Sequence, residues 1–400
     1  MPLSQDQLRD LAARWGTPLY VYDLARVRSA AALLRAELPA EARVFYSLKA
    51  NPHPAIVSTC LAEGLGAEVS SAGEWSSIPD GTPATSVIYS GPGKTRDQLV
   101  EFAKRWSGYV TVESFRELAE ARAVGGFAGI LLRVNVSSAH QGASLAMSGR
   151  PSQFGVDDAD VLASWSTHDL GAGDVVGFQS YAMSNQADLR VLAATAGEVV
   201  RFVGEVTRKW GFRPSIVDLG GGFPAPFGRP GELGLTELRA ALAAELAATP
   251  ADARLVFESG RFLAATAGSL YASVLDVKSS HGREYVILDA GVNCVAGLQA
   301  SGRTLPAPLD VEVVHRRSPA GVRRPVTVTG PLCTPFDVLN RELLLDVMPG
   351  DLVRIPNVGA YGLSASAVGF LSRRLPAEVI VDGAEVIGAT RVTMVRDFCG

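Results

Sequence analysis

Cysteine and histidine are scarce in this 400-residue sequence. The four cysteines are Cys60, Cys294, Cys333 and Cys399, and their spacing is neither that of a disulfide framework nor that of a zinc site. The five histidines show no ligand pattern either. These absences leave metal catalysis unsupported and favour a reducing, cytoplasmic setting.

Long apolar runs and an excess of basic residues are also missing. No segment approaches the ~20 apolar residues that span a bilayer, and the amphipathic N-terminal stretch MPLSQDQLRDLAARWG has no signal-peptide core. The net charge is −4, from 37 basic and 41 acidic side chains. We therefore expect neither a membrane nor a nucleic acid as a partner.

Strand and helix periodicities alternate through the first two thirds of the chain. Strand candidates open near Val44, Ala67, Ser86, Tyr109, Gly129, Asp174, Ser215 and Arg254. Amphipathic helical stretches lie between most of them, for example at 54–65, 95–106, 114–124, 189–210 and 235–248. This alternation predicts an α/β fold, a (β/α)8 barrel of the TIM type over residues 25–265. An open doubly wound sheet is the alternative, but the count of eight and the polar strand ends favour the barrel.

From about Ala267 the sequence changes character. Short apolar or alternating segments such as YASVLDVKS, REYVILDAG and AEVIVDG are separated by Gly, Pro and Asp, and helical periodicity nearly disappears. Residues 266–400 are therefore expected to form a second, all-β domain, a small barrel or sandwich. The segment LYVYD, Leu19 to Asp23, has no nearby partner strand, and we expect residues 1–24 to join that domain.

Lysine is rare, with five residues against 32 arginines, and Lys49 follows the apolar run Val44–Leu48. Asn51-Pro52 then stops any strand from continuing. Desolvation at the end of a buried strand would lower the pKa of this amine and make it a nucleophile towards an aldehyde. The alternative is a side chain that simply reaches solvent from the strand end.

Polar or glycine clusters end nearly every predicted barrel strand, where catalysis belongs in this fold. They comprise Lys49, Glu68 with Ser71, Gly91–Lys94, Glu113, Arg133 with Asn135, Tyr181 with Ser184, Gly220–Gly222, and Glu258 with Arg261. The glycines of DLGGGF can expose N–H groups to a phosphate, although a glycine run can also be a mere tight turn. Arg261 can bind phosphate in bidentate fashion and Glu258 can pair with a protonated ring nitrogen, unless the two form a salt bridge.

An amine nucleophile, a phosphate cradle and an acid for a ring nitrogen together predict a pyridoxal 5′-phosphate (PLP) site. The chain resembles the fold type III PLP-dependent decarboxylases, the family of ornithine and diaminopimelate decarboxylases, over almost its whole length. Lys49 in LKANP matches the Schiff-base lysine and Gly220–Gly222 match the phosphate loop. Glu258 matches the partner of the pyridinium nitrogen, and Arg261 matches a phosphate ligand.

Two further motifs of that family lie in the predicted β domain. GPLCTPFD, Gly330 to Asp337, matches the motif whose cysteine lies near the substrate, and GAYG, Gly359 to Gly362, matches the tyrosine motif near the phosphate. The resemblance implies Cys333, Thr334 and Asp337 as substrate-binding residues and Tyr361 as a cofactor-binding residue. It also implies a homodimer in which the cysteine loop completes the neighbouring site. A buried thiol and a turn aromatic are the structural alternatives for the cysteine and the tyrosine.

Several positions depart from the family pattern. Tyr181, in GFQSYAMSNQ, stands where a histidine normally lies against the cofactor ring; a phenol can stack there but cannot carry a positive charge. Ser184 keeps the phosphate-contact position, and Glu68 replaces the usual aspartate. Thr334 and Pro335 stand where diaminopimelate decarboxylases carry an acidic residue and a serine after the cysteine. The arginine expected shortly after DAGVN is also missing.

The site has therefore lost groups for a second charged end of the substrate. In this it is more similar to family members that decarboxylate conjugated amino acids, such as glutamyl groups on a carrier protein in secondary metabolism. We predict a PLP-dependent α-decarboxylase with Lys49, Glu258 and Cys333 as catalytic residues, in which Cys333 or Lys49 returns a proton to Cα. Diaminopimelate decarboxylase, a PLP-dependent racemase and a non-catalytic PLP-binding protein are the alternatives. Candidates for a basic carrier-docking patch, or for a merely solvated face, are Arg316, Arg317, Arg323 and Arg324.

Overall fold

The structure is a computed structural model that describes residues 3–137, 151–296, 308–319 and 321–396. The chain divides into two compact units. The first consists of Arg28–Pro224 and Gly234–Phe262, and the second of Met1–Val27, Ala225–Leu233 and Leu263–Gly400. Cys399 lies outside the described residues, as do residues 297–298 of the segment that follows DAGVN.

The strands and helices have the following bounds in chain order. The strands are β1 (Leu19–Asp23), β2 (Arg43–Ser47), β3 (Gly66–Val69), β4 (Val87–Tyr89), β5 (Tyr109–Val112), β6 (Gly129–Asn135), β7 (Val156–Asp157), β8 (Val175–Gln179), β9 (Ile216–Asp218), β10 (Arg254–Ser259), β11 (Gly268–Ser280), β12 (Arg283–Leu288), β13 (Glu312–His315), β14 (Arg324–Thr329), β15 (Val338–Leu345), β16 (Leu352–Ile355), β17 (Ala377–Asp382) and β18 (Glu385–Thr390). The helices are α1 (Gln5–Trp15), α2 (Leu24–Glu37), α3 (Pro54–Ala62), α4 (Arg96–Arg105), α5 (Phe115–Val124), α6 (Asp158–Ala163), α7 (Leu189–Trp210), α8 (Leu238–Glu245) and α9 (Arg261–Ala264).

The first unit contains a closed parallel barrel. Its strands follow the order β5-β4-β3-β2-β10-β9-β8-β6, and the pairing of β5 with β6 closes the ring. The prediction of a (β/α)8 barrel is confirmed, and the open doubly wound sheet is wrong. Because all these strands run parallel, their carboxyl ends meet at one mouth of the barrel, where this fold places its chemistry.

An apolar layer fills the barrel towards its amino-terminal end. Phe45, Ile88, Leu131, Ile216 and Val256 come from five different strands and form one buried cluster. Alternation along each strand then places the polar residues near the carboxyl ends on the same inner side as this layer. The packed apolar layer therefore closes the barrel interior beneath the polar strand ends.

Local signals define the helix ends around the barrel. Thr95 begins α4 with a capping box, in which its side chain accepts the Gln98 N–H and the Gln98 side chain accepts the Thr95 N–H. Asp188 caps α7, and Gly211 ends that helix in the left-handed conformation, with φ of 69°. None of the helices in the described ranges is long and apolar enough to cross a membrane.

The second unit is mostly sheet. Its strand path is β15-β14-β12-β11-β1-β17-β18, and β16 attaches β13 to β11. The LYVYD segment is β1, which pairs antiparallel with β11 and parallel with β17, as expected from its lack of a local partner. Helix α1 also belongs to this unit, where Leu8, Ala12 and Trp15 pack against a cluster that includes Leu19 and Val379. The unit is therefore β-rich rather than strictly all-β.

Candidate active site

Lys49 lies in the tight turn Leu48–Ala50, directly after β2 at the carboxyl mouth of the barrel. Its Nζ donates to both oxygens of Glu68, at 3.0 Å to Oε2 and 3.2 Å to Oε1. The lysine side chain is 38% exposed, whereas that of Glu68 is 0% exposed. The expectation of a desolvated amine is therefore wrong for the single chain, because the Lys49 ammonium reaches solvent and has a carboxylate partner.

Serine hydroxyls surround the Glu68 carboxylate in β3. Ser70 Oγ donates to Glu68 Oε1 at 3.1 Å, and Ser90 Oγ donates a very short hydrogen bond to the same oxygen. Burial raises the pKa of Glu68, but the Lys49 charge and hydrogen bonds from Ser90 and Ser47 outweigh burial and leave the pKa below its usual value. Glu68 is thus an ionised carboxylate that can hold the Lys49 ammonium in a fixed direction.

Glu74 lies beside this pair in the turn Ala72–Ser77, and no motif or strand-end position in the sequence pointed to it. Its Oε2 accepts the Ser70 N–H at 2.7 Å. Burial raises the pKa of Glu74 to about 7, with a further contribution from the Glu68 charge. The mouth of the barrel therefore holds a second acid whose charge changes near neutral pH.

The glycines of DLGGGF follow β9 and form a cradle that no side chain can enter. A Cβ at Gly221 would lie 2.0 Å from the Glu258 carbonyl oxygen, and one at Gly220 would lie 2.5 Å from the Ser180 carbonyl oxygen. The Gly220 N–H donates to Asp218 Oδ1 at 2.9 Å. Within the described chain, the N–H groups of Gly221 and Gly222 have no acceptor. Two of the three glycine N–H groups are thus available to an anion.

Tyr181 and Ser184 lie in the loop that follows β8. The Lys49 Nζ is 5.8 Å from the centroid of the Tyr181 ring. Ser184 is two residues from Gln186, whose N–H donates to the Gly222 carbonyl at 2.8 Å. The loop therefore lies beside both the lysine and the glycine cradle, and the roles of Tyr181 at the cofactor ring and of Ser184 at the phosphate stay predictions.

Glu258 lies in β10 and is 2% exposed. Burial and then the Glu68 charge raise its pKa to about 7, against the opposing effects of Lys49 and Arg133. Gln179 Nε2 donates to Glu258 Oε1 at 3.4 Å. Arg261 begins α9 three residues later and is half-buried.

Two other polar strand ends are occupied by buried ion pairs. Lys94 Nζ donates to Glu117 Oε1 at 2.9 Å, and the two side chains are 1% and 5% exposed. Arg133 Nη1 donates to Glu113 Oε1 at 2.9 Å. Because each charge is matched within the barrel wall, we interpret these groups as structural rather than ligand-binding.

The loop 330–337 joins β14 to β15 in the second unit. The Cys333 thiol is exposed, so the buried-thiol alternative is wrong. Asp337 is 2% exposed, and its oxygens accept the N–H groups of Val292 at 2.8 Å and Leu332 at 2.7 Å. Contrary to the expectation of a substrate contact, the Asp337 side chain faces inward and holds the loop together. Thr334 is half-buried and carries no charge.

Tyr361 lies in the loop after β16 and has a φ of 60°, a conformation rarely adopted by bulky residues. Tight packing continues at the next position, where a Cβ on Gly362 would lie 2.1 Å from the Val358 carbonyl oxygen. Such strained positions persist where the surrounding structure fixes them, often at functional sites. Both second-unit motifs are loops, as predicted.

The barrel and its site define a PLP-dependent enzyme. A buried acid, a closed glycine cradle with two available N–H groups, and a lysine at the barrel mouth fit the ring nitrogen, the phosphate and the aldehyde of PLP. The pyridoxal-binding domain of the pyridoxal-dependent decarboxylases matches residues 24–265. The chain belongs to this family, and it is a PLP-dependent amino-acid decarboxylase.

Two relatives and one solved structure illustrate the similarity. The chain is 31% identical over 396 residues to L-glutamyl-(BtrI acyl-carrier protein) decarboxylase of Niallia circulans, covering 95% of this chain and 92% of the relative. It is 30% identical over 383 residues to 2-((L-alanin-3-ylcarbamoyl)methyl)-2-hydroxybutanedioate decarboxylase of Staphylococcus aureus, covering 89% and 92%. The diaminopimelate decarboxylase of M. jannaschii, solved in complex with L-lysine, superposes with a TM-score of 0.81 at 25% identity, covering 94% of this chain and 90% of that one.

Proposed function

We propose that this enzyme removes the α-carboxylate from an amino acid held in a conjugate, such as an aminoacyl group on a carrier protein, in a pathway of secondary metabolism. The observation that carries the proposal is that the residues directly after Cys333 in its loop offer no available charge. The exposed Arg373 contacts the loop from outside and donates to the Pro331 carbonyl at 3.0 Å. Thr334, Pro335 and Phe336 are uncharged, and both oxygens of the nearby Asp337 already accept backbone N–H groups. A free diamino acid would bring a second ionic end, which is costly to desolvate without a partner.

The two relatives support this choice of substrate class. Their names describe an amino acid joined to a larger group, an acyl-carrier protein in one and a hydroxybutanedioate in the other. A glutamyl group joined to a carrier protein has no free charge at its conjugated end, so the uncharged residues after Cys333 suit it. The hydroxybutanedioate conjugate carries two carboxylates and supports only the broader class of conjugated substrates. The proposal therefore joins the local chemistry of this loop to the substrate class of two relatives.

Each site residue has a defined role in the proposal. PLP supplies an electron-accepting ring for the electron pair left by the departing carboxylate. Lys49 binds the aldehyde, Glu258 holds a proton on the ring nitrogen, and Tyr181 packs against the ring. The phosphate contacts are Ser184, Gly220–Gly222, Arg261 and Tyr361, with Gly220 contributing shape rather than a free N–H. Glu68 orients Lys49 through the ion pair described above.

The proton that replaces the carboxylate requires a donor near Cα. Cys333 has an exposed thiol suited to this step, and Lys49 is the other candidate. In the proposal two copies of the chain pair, and the Cys333 loop of one copy completes the site of the other. Thr334 then borders the substrate without adding a charge.

An acidic carrier protein would be attracted by exposed basic side chains. Arg316 Nη1 pairs with Asp346 Oδ2 at 3.1 Å, so its charge is already matched. Arg317, Arg323 and Arg324 are exposed. These three are the positions at which charge reversal would test carrier docking.

The direct test is CO2 release. Free glutamate, ornithine, lysine, arginine and meso-diaminopimelate, in both chiralities where they exist, are compared with glutamyl groups tethered to a carrier protein. Release only from tethered substrate supports the proposal, and Lys49→Ala serves as the inactive control. Rapid release from a free diamino acid would overturn it.

Diaminopimelate decarboxylase is the second candidate, and the structural match to the M. jannaschii enzyme favours it. Its distinguishing outcome is rapid release from meso-diaminopimelate. A racemase would instead invert the amino acid without releasing CO2, which chiral chromatography of the same reactions detects.

A further inference from the structure

Three polar side chains form a buried row across three neighbouring barrel strands, and the row ends at Glu258. Gln179 in β8, Asp218 in β9 and Glu258 in β10 are 2%, 0% and 2% exposed. Asp218 stands directly opposite Gln179 in the parallel register and opposite Val256, two residues before Glu258. Since side chains two residues apart share a face of a strand, the three groups project to the same side of three neighbouring strands.

The hydrogen bonds of this row are incomplete without an additional proton. The Gly220 N–H donates to Asp218 Oδ1 at 2.9 Å, and Gln179 Nε2 donates to Glu258 Oε1 at 3.4 Å. Asp218 Oδ2 and Gln179 Oε1 are both buried without a partner. Asp218 and Glu258 are close enough to share a side-chain hydrogen bond. Two carboxylates cannot form this bond unless one of them holds a proton, and each unsatisfied buried group costs about 1–3 kcal/mol.

Reversing the Gln179 amide does not remove this requirement. The hydrogen bond between Asp218 and Glu258 joins two carboxyl groups, so it does not depend on the orientation of the amide. In either orientation one of the two carboxyl groups must hold a proton. The structure therefore requires a carboxylic acid in the row, whichever way the amide points.

The surroundings place this proton on Asp218. Burial and then the Glu258 charge raise the pKa of Asp218 well above its usual value. Burial and the Glu68 charge also raise the pKa of Glu258, but only to about 7, because Lys49, Arg133 and the hydrogen bond with Asp218 favour its ionised form. No lysine or arginine of the described chain forms an ion pair with Asp218.

We propose that Asp218 is a neutral carboxylic acid in the native enzyme, that its hydroxyl donates to the Glu258 carboxylate, and that it thereby positions Glu258 for the ring nitrogen. Glu258 then accepts from two side chains, Asp218 and Gln179, while Asp218 accepts from the Gly220 N–H. Glu258 is left as the ionised member of the pair. Asp218 is a positioning residue, and this role rests on the proposed function of Glu258.

The first test uses thermal unfolding of the apoenzyme at about pH 5 and about pH 8. The unfolded chain releases the Asp218 proton near pH 4. Because the folded pKa is raised, the stability linked to this proton is complete below about pH 4 and is lost as the pH rises through the folded pKa. Asp218→Asn carries a permanent donor in the same place, so its Tm should exceed that of the wild type at the higher pH and the gap should narrow at the lower pH.

A matched control is Asp252→Asn, which changes an exposed aspartate that lies 3.8 Å from Arg213. Its Tm difference from the wild type should not depend on pH in this way. An Asp218→Asn variant less stable than the wild type at both pH values, or with a gap independent of pH, would overturn the proposal. This measurement needs no substrate, so it can fail or succeed independently of the proposed function.

The second test concerns the positioning role. Asp218→Ala should bind PLP at least ~10-fold more weakly than Asp218→Asn, because only the amide restores the donor; tenfold corresponds to about 1.4 kcal/mol. Infrared difference spectra of the wild type against Asp218→Asn should also show a protonated carboxyl band that the variant lacks. Equal PLP affinity in the two variants, or no such band, would contradict the proposal.

Discussion

Lys49 Nζ lies 3.0 Å from Glu68 Oε2 at the mouth of the barrel. The carboxylate is fully buried, and Ser70 and Ser90 donate to its other oxygen. The serine hydroxyls therefore fix the buried Glu68 carboxylate, while the Lys49 side chain remains accessible to solvent.

Glu68→Gln should weaken this arrangement. The amide cannot form an ion pair, and its NH2 group would face donors that now point at a carboxylate, which costs about 1–3 kcal/mol. We expect the free energy of unfolding, measured by urea denaturation, to fall by this amount. We also expect Lys49 to react more slowly with PLP, as measured by the rate of colour formation. Glu120→Gln is the control, since Glu120 pairs with Arg96 on the surface at 3.0 Å and should contribute under 1 kcal/mol. Equal effects of the two substitutions would contradict the role given to Glu68.

Gly221→Ala should prevent tight cofactor binding. The new Cβ would lie 2.0 Å from the Glu258 carbonyl oxygen, so the cradle or β10 must shift, with a typical overpacking cost of about 1–3 kcal/mol. We expect PLP affinity to fall by about tenfold or more, as measured by fluorescence titration of the apoenzyme. Gly204→Ala is the control: it lies in α7 with open space around the added methyl, and should leave affinity unchanged and slightly stabilise the helix. Wild-type affinity in Gly221→Ala would show that the loop does not hold the phosphate.

The barrel could be predicted from the sequence because local and tertiary signals agree there. Each barrel strand is an apolar run with a polar or glycine end, and every predicted start lies within one residue of the observed one. β15 was not predicted, because Asn340, Arg341 and Glu342 interrupt its apolar pattern. Asn340 is nevertheless buried, and its Nδ2 donates to the Leu309 carbonyl at 2.8 Å. Only the tertiary partner makes this polar segment a strand.

The candidate site shows the same limit. Lys49, Glu258 and the glycine run stand out because each follows a strand, but Asp218 was treated only as the first letter of DLGGGF. Its importance depends on Glu258 on the neighbouring strand, a partner that no local pattern reveals. Asp337 was assigned to substrate by its motif, yet backbone N–H groups of Val292 and Leu332 bind it in the fold. Motifs identify candidate functional residues, but tertiary packing determines whether their side chains point into the site or into the core.

Glu74 should make stability depend on pH. Its folded pKa of about 7 lies above the unfolded value near 4.3, so its contribution is complete below about pH 4.3 and is lost as the pH rises through about 7. Relative to Glu74→Gln, the wild type should therefore lose about 1–3 kcal/mol of unfolding free energy between those values. Urea denaturation of the apoenzyme at several pH values measures this difference. Glu63→Gln is the control, because Glu63 pairs with Arg35 on the surface, and its stability should change with pH as that of the wild type does. The same pH dependence of the unfolding free energy in all three proteins would contradict the assignment.

Cys333 should be the cysteine that reacts first with an alkylating agent among those the structure describes. Its thiol is exposed, whereas Cys60 and Cys294 are buried; burial raises the pKa of both of those thiols, that of Cys294 to about 12. If Cys333 returns the proton to Cα, Cys333→Ala should reduce kcat by about 100-fold or more with little change in PLP affinity. Mass spectrometry of the alkylated protein and steady-state CO2 release measure the two effects. Wild-type kcat in Cys333→Ala would exclude the thiol as the donor and leave Lys49 as the candidate for the proton transfer.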